Sequence, residues 1–187
     1  MADKRASVKR LILTLTFIGV FGSLFLAFVF NWTNPYILEH QARAREEAIF
    51  TVLPGSVDYE EVEIDDHTFY RGIDEHDQQV GIAVEYSVAG YQAFVDVMVG
   101  VDPELEEVIG AHVLNHGETP GLGARITEEE FLDNFSELPV GEYEVVDSPE
   151  EEHEIAGIAG ATISAEAVKE AVSEAGELIM VHFGGGN

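Results

Sequence analysis

Near the C-terminus, Ala156-Gly157-Ile158-Ala159-Gly160-Ala161-Thr162-Ile163-Ser164 sets a hydroxyl after a run in which five of six residues are Gly or Ala. Residues without bulk let a ligand approach the backbone closely. A helix that starts there presents unpaired N–H groups and a favourable dipole to a phosphate. Thr162 in that position could be esterified by the phosphate rather than merely bind it. The same residues fit an ordinary tight turn in which Thr162 or Ser164 caps the helix. Composition leaves both readings open.

A second segment, Glu118-Thr119-Pro120-Gly121-Leu122-Gly123, brackets a leucine between two glycines beside a hydroxyl and a carboxylate. Such a loop offers an apolar contact with polar edges, which suits one face of a flat aromatic ligand. It also fits a plain strand-to-helix connection. Seven histidines raise the question of a metal or haem. His112 and His116 are four apart but fall at the end of an expected strand, so they do not share a helical face. With no cysteine there is no Cys-x-x-Cys-His and no thiolate site, and solvated or hydrogen-bonded histidines are expected instead. Tyr91 and Phe94 read as core residues rather than ring-stacking ones.

The elements that must position these residues follow from periodicity. Pro35 is expected to open a helix carrying Ile37, Leu38, Ala42, Ala48 and Ile49, ending before Pro54-Gly55. Partial alternation over Val57–Ile64 predicts a half-exposed strand. Shorter strands are expected at 68–71 and 80–86, separated by the acidic turn Asp74-Glu75-His76-Asp77. The β-branched run Ala93–Val101, the turn-like Val101-Asp102-Pro103-Glu104 and the return Leu105–Leu114 predict a hairpin. Thr127 with Glu130 forms a capping-box pattern for a helix running to about Phe135. Val168, Ala171, Val172, Ala175, Leu178 and Ile179 recur at spacings of three and four, predicting a final amphipathic helix. This is an α+β domain over 57–183, followed by a flexible tail at 184–187.

Ahead of it, Leu11–Phe30 is an unbroken uncharged run. About 20 such residues at 1.5 Å each match a hydrocarbon core of roughly 30 Å. The run exceeds the usual signal-peptide core and no small-x-small site ends it, so it reads as an uncleaved anchor over 11–32, with a helical linker at 33–56. Trp32 and Tyr36 suit the interface. Four of the nine Lys and Arg (Lys4, Arg5, Lys9, Arg10) lie in 1–10, which predicts a cytoplasmic N-terminus, a single pass through the cell membrane and an extracytoplasmic domain. Beyond residue 10 there remain five basic and thirty-five acidic residues, a net charge of −30. Nucleic-acid binding is excluded, since it needs a basic footprint. The scattered acids read as a halophilic surface, or else as a docking face for a basic partner such as a cytochrome.

Together, the two segments resemble the FMN-binding domain of the flavin-bearing G subunit of Rnf-type electron transport complexes. The same domain occurs in the C subunit of sodium-translocating NADH:quinone reductase. The resemblance rests on the complete Glu118–Gly123 hexapeptide, Asn134-Phe135, Gly160-Ala161-Thr162-Ile163-Ser164 about 40 positions after the loop, Ala167-Val168, and Gly90-Tyr91 ahead of the hairpin. It covers the anchor and about the last 100 residues.

The resemblance implies one transmembrane helix followed by an extracytoplasmic FMN-binding domain. It further implies FMN held covalently as a phosphoester of Thr162, attached from FAD by a separate Mg²⁺-dependent flavin transferase. Thr119 and Leu122 become flavin contacts and Glu118 places the loop, with Gly123, Gly160, Ala161 and Ser164 completing the cofactor site. No catalytic residue or metal ligand is implied. The chain would pass electrons among other membrane subunits of an ion-translocating complex. Two residues depart from the family: Ala159 stands where a serine is usual and Ala156 where an aspartate is usual. Gln92-Ala93 also replaces a Gly-Gly. A stand-alone anchored carrier serving another reductase and a flavin-free scaffold subunit are the alternative readings.

Overall fold

A computed structural model describes residues 2–151 and 153–185, with side chains from Lys9 onward. The basic stretch 1–10 and the tail 184–187 therefore lie partly outside the described residues. The chain forms two compact units, Met1–Arg43 and Ala44–Asn187.

The first unit belongs to helix α1, Ala2–Val52. From Lys9 this is the one described helix long and apolar enough to cross a membrane. Its large apolar side chains, from Leu11 through Phe17, Phe21 and Phe25 to Phe30, are exposed on every face, as in a helix whose solvent is not water. Two polar side chains in the run bond back to the helix's own carbonyls. Thr14 Oγ1 donates to the Arg10 carbonyl at 2.9 Å and Ser23 Oγ to that of Val20 at 3.0 Å, as an apolar medium requires. Pro35 does not open a second helix as its sequence context suggests. It lies inside α1. A proline removes only one ladder bond, here at the polar Asn31-Trp32-Thr33-Asn34 end of the apolar run.

The second unit is built on a five-stranded antiparallel meander in the order β1 (Asp58–Ile64), β2 (His67–Ile73), β3 (Gln79–Ala89), β4 (Phe94–Asp102), β5 (Glu107–Asn115). Asp65 and Asp66 join β1 to β2 with φ of 48° and 66°, the paired positive values a two-residue hairpin turn demands. At the β4–β5 turn the Asp102 carboxylate accepts the N–H groups of Glu104 and Leu105. β4 is buried on both faces, hence its near-continuous apolar run. Val95, Val97, Val99 and Val101 join Ile82, Val84 and Phe69 in the core with Val168, Ala171, Val172, Ala175 and Ile179 of helix α3, Thr162–Phe183. Met98, Ala83 and Tyr70 belong to a second apolar cluster, made with Ala48, Ile49, Val52 and Leu53.

That second cluster seats the end of α1 on the sheet. Gly72, Gly81, Gly100 and Gly110 lie one on each of four successive strands. A Cβ at Gly72 or Gly81 would come within 2.8 or 2.9 Å of Leu53 side-chain atoms, and one at Gly100 would run into the Val52 carbonyl. Gly72, Gly81 and Gly100 form a trough that admits Val52 and Leu53, and Gly110 borders it in ordinary contact with Val52. The compact unit accordingly begins at Ala44, inside the stretch expected as linker.

Between β5 and α3 the chain forms a 3-10 turn (Gly123–Thr127), one turn of helix α2 (Glu129–Leu132) and a further 3-10 turn (Asp133–Phe135). The expected capping box is absent here. The residue before α2 is Glu128, no side chain caps it, and Thr127 Oγ1 instead donates back to the Ala124 carbonyl at 3.0 Å, closing the preceding turn. A hydroxyl that can close its own 3-10 turn is not free to cap the next helix. Two short parallel strands, β6 (Glu144–Val146) and β7 (Glu154–Ala156), pair with each other, each of three residues and so too short to carry a readable alternation.

Candidate functional site

Helix α3 opens without a side-chain cap. Its N-cap is Ala161, and neither Thr162 nor Ser164 fills that role as the sequence suggests. Thr162 is instead the first residue of the helix, and the Ser164 hydroxyl donates to Glu118 Oε2, 46 positions earlier in the chain, at 2.7 Å. The first ladder bond runs from the Ala165 N–H to the Ala161 carbonyl. The amides of Thr162, Ile163 and Ser164 therefore precede the ladder and have no intrahelical acceptor.

Glu118 ties three segments together. Its other oxygen, Oε1, accepts the N–H groups of Tyr91 at 2.8 Å and Gln92 at 3.2 Å. The residue is 5% exposed. Burial pushes its carboxyl up, but the Ser164 hydroxyl and the Gln92 and Tyr91 amides outweigh this and leave it below its ordinary value. Close packing around the carboxylate requires glycine on two sides. A Cβ on Gly90 would lie 2.5 Å from Oε1, and one on Gly123 would lie 2.6 Å from both Oε2 and Ser164 Oγ. Next to it, Gln92 Nε2 donates to Thr119 Oγ1 at 2.8 Å, and the N–H groups of Leu122 and Ala124 both bond the Thr119 carbonyl. Gly121 and Gly160 hold φ of +76° and +78°, turns in the two loops that favour glycine.

The result is a cleft of about 440 Å³ lined by Tyr91, Glu118, Thr119, Leu122, Gly123 and the run Gly160–Ser164. All eight residues named from the sequence line this one cleft. Two more do so that sequence reasoning missed: Ile163 and Tyr91. Tyr91 and Phe94 are 66% and 65% exposed, not core residues as expected. They occupy the turn between β3 and β4 and the first position of β4, where the sheet ends and nothing covers them. The Gly90-Tyr91 pair at a strand end was the available signal. His116 is hydrogen-bonded, its Nδ1 accepting the Glu118 N–H at 3.2 Å, while His112 is half-buried on β5 and burial lowers its pKa. Ala156 and Ala159 line a different hollow of about 230 Å³, with Arg125, Glu128 and Asn134.

The cleft has the size and character of a cofactor site: mostly apolar walls with a few placed polar groups. Unpaired amides at the start of α3 suit a phosphate. Tyr91, Leu122 and Ile163 offer apolar surface to a flat ring, and small residues at Gly160 and Ala161 leave the backbone accessible between them. FMN, a phosphate joined to a flat ring system, fits this donor set.

Comparison with known proteins agrees with that class. The FMN-binding domain matches residues 90–177, and the chain belongs to this family. Over 98% of its length it is 31% identical to the G subunit of the ion-translocating oxidoreductase complex of Methanosarcina acetivorans, covering 100% of that protein. It is 25% identical to the G subunit of the proton-translocating ferredoxin:NAD(+) oxidoreductase complex of Clostridium ljungdahlii, over 91% of both chains. Among solved structures, NqrC of Shewanella oneidensis shares the fold, with a TM-score of 0.52, 18% identity and 64% of each chain covered.

Proposed function

We propose that this chain is the membrane-anchored, flavin-carrying subunit of an Rnf-type ion-translocating oxidoreductase complex, holding FMN as a phosphoester of Thr162. The observation that carries the attachment is the place of Thr162: exposed, first residue of an uncapped helix, on the wall of the cleft that Glu118 organises. A phosphate linked there would sit against the amides of Ile163 and Ser164, with the ring toward Leu122, Thr119 and Tyr91. Bound FMN supplies reversible electron uptake and release; the chain's own residues bind it, orient it and set its surroundings.

Attachment needs a donor and an enzyme. A flavin transferase would present FAD, the Thr162 oxygen would bond to the FMN phosphorus, AMP would depart, and the hydroxyl proton would be released. The electron partners are other membrane subunits of the complex, with a basic protein such as a cytochrome as a further candidate. The basic N-terminus stays cytoplasmic and the domain lies outside. The relatives that are G subunits favour this assignment over a stand-alone carrier, because they match nearly the whole chain, anchor included.

One observation favours a second reading. Ala156 and Ala159 replace an aspartate and a serine usual in the attachment motif, which suits a scaffold subunit without flavin. Co-expression with a flavin transferase separates the two. The denatured chain should keep flavin fluorescence in a gel, and Thr162→Ala should abolish it. A parent chain that shows none under these conditions sinks the phosphoester, and one that also carries no FMN before denaturation leaves the scaffold.

A further inference from the structure

We propose that the Glu118 carboxylate acts as a fixed negative charge that lowers the reduction potential of the flavin held in this cleft. The inference rests on the flavin reading above and goes beyond it by assigning the residue that sets the cofactor's poise.

Glu118 is the one charged residue among those lining the cleft; Tyr91, Thr119, Leu122, Ile163 and the rest are neutral. Its negative charge is built in rather than incidental. Both oxygens receive only donors: the Ser164 hydroxyl on one, two backbone N–H groups on the other. Neither contact offers an acceptor for a carboxyl proton except the rotatable hydroxyl. Gly90 and Gly123 let the carboxylate pack against backbone on two sides, in space that a Cβ at either position would fill. The charge is thus held in place and out of water.

Two consequences follow for any ligand that gains electrons in the cleft. Added electron density next to a largely buried carboxylate is opposed by a Coulomb interaction that water screens less than it would at an exposed site. The positive end of α3 would favour that density, and the carboxylate, bonded to the third residue of the helix, offsets it. Removing the charge while keeping the shape leaves the helix end unopposed. The potential should then rise.

The test uses the full anchored chain in detergent, loaded with FMN by a flavin transferase and titrated by spectroelectrochemistry. Glu118→Gln is isosteric: its amide oxygen accepts the Tyr91 and Gln92 N–H groups, and its NH₂ donates to the Ser164 hydroxyl. We expect its flavin to be about tenfold more reduced than the parent's at a common poise, about 30 mV for a two-electron couple. Glu118→Asp retains the charge and should titrate close to the parent. A Thr119→Lys variant, which brings a cation to the same wall and leaves the three donors to Glu118 in place while giving up the Gln92–Thr119 hydrogen bond, should shift the potential in the direction of Glu118→Gln. It serves as the readout if that variant fails to load. Coincident titrations of the parent and the variant read overturn the inference alone. So does an Asp variant that shifts as far as Gln, since packing rather than charge would then be responsible. A parent chain that carries no FMN overturns the flavin reading and this inference with it.

Discussion

At the residue scale the cleft depends on contacts that a single atom can break. A methyl group at Gly123 would fall 2.6 Å from both Glu118 Oε2 and Ser164 Oγ. Gly123→Ala should therefore part the Glu118–Ser164 pair and cost about 1–3 kcal/mol, as overpacking of a tight site does. Differential scanning calorimetry of the two chains checks this, and an unchanged melting temperature would refute the close approach. Glu118 also has a pH signature. Its folded pKa lies below the unfolded one, so its stabilisation is complete above the unfolded value and is lost as pH falls through the folded value. The parent should melt above Glu118→Gln at pH 7, and the gap should close as pH drops below about 4.3, the ordinary glutamate value. A gap that is flat across this range would show that the carboxylate is not held by its donors.

At the element scale, the last turns of α1 belong to the folded domain. Ala48, Ile49, Val52 and Leu53 are all 0% exposed. Burying Ile49, Val52 and Leu53 contributes about 1.5–3 kcal/mol each, which is large beside the roughly 5–15 kcal/mol of net stability that holds a domain folded. A fragment starting at Val57 should be strongly destabilised or aggregate, exposing Tyr70, Ala83, Met98 and the glycine trough, whereas one starting at Ala44 should fold. Urea unfolding of the two fragments decides this; equal midpoints would mean the α1 segment is only attached. The strands were legible because alternation and turn chemistry are local. Observed β3 (Gln79–Ala89) and β4 (Phe94–Asp102) enclose or nearly match the expected runs at 80–86 and 93–101. Helix ends were misread for a different reason. Thr127 and Ser164 are good caps by type, but each hydroxyl has a better partner, Ala124 in its own turn and Glu118 across the cleft.

At the scale of the whole molecule, charge is the dominant feature: 36 acidic against 9 basic residues, for a formal net of −27. Repulsion among exposed carboxylates is long-ranged in dilute buffer and is cut to about 3 Å by 1 M salt. If the acids serve a saline environment, the melting temperature of the domain should climb steadily between 0.1 and 1 M KCl in roughly the range where that screening develops. A docking role predicts the reverse for association: binding to a basic redox partner, followed by surface plasmon resonance, should weaken steeply over the same salt range. A melting curve indifferent to salt would remove the halophilic reading.

What is written in the sequence alone is what depends on neighbours along the chain. The apolar run of α1, the alternation of the central strands, the small residues before Thr162 and the Glu118–Gly123 loop can all be read without coordinates. The tertiary structure supplied the rest, because the cleft is closed by pairs 26, 27 and 46 residues apart: Glu118 with Gln92, with Tyr91 and with Ser164. Their meeting depends on the order of strands in the sheet and on α3 packing across β3 and β4. No local pattern encodes that geometry, nor the glycine trough that draws Val52 and Leu53 into the core.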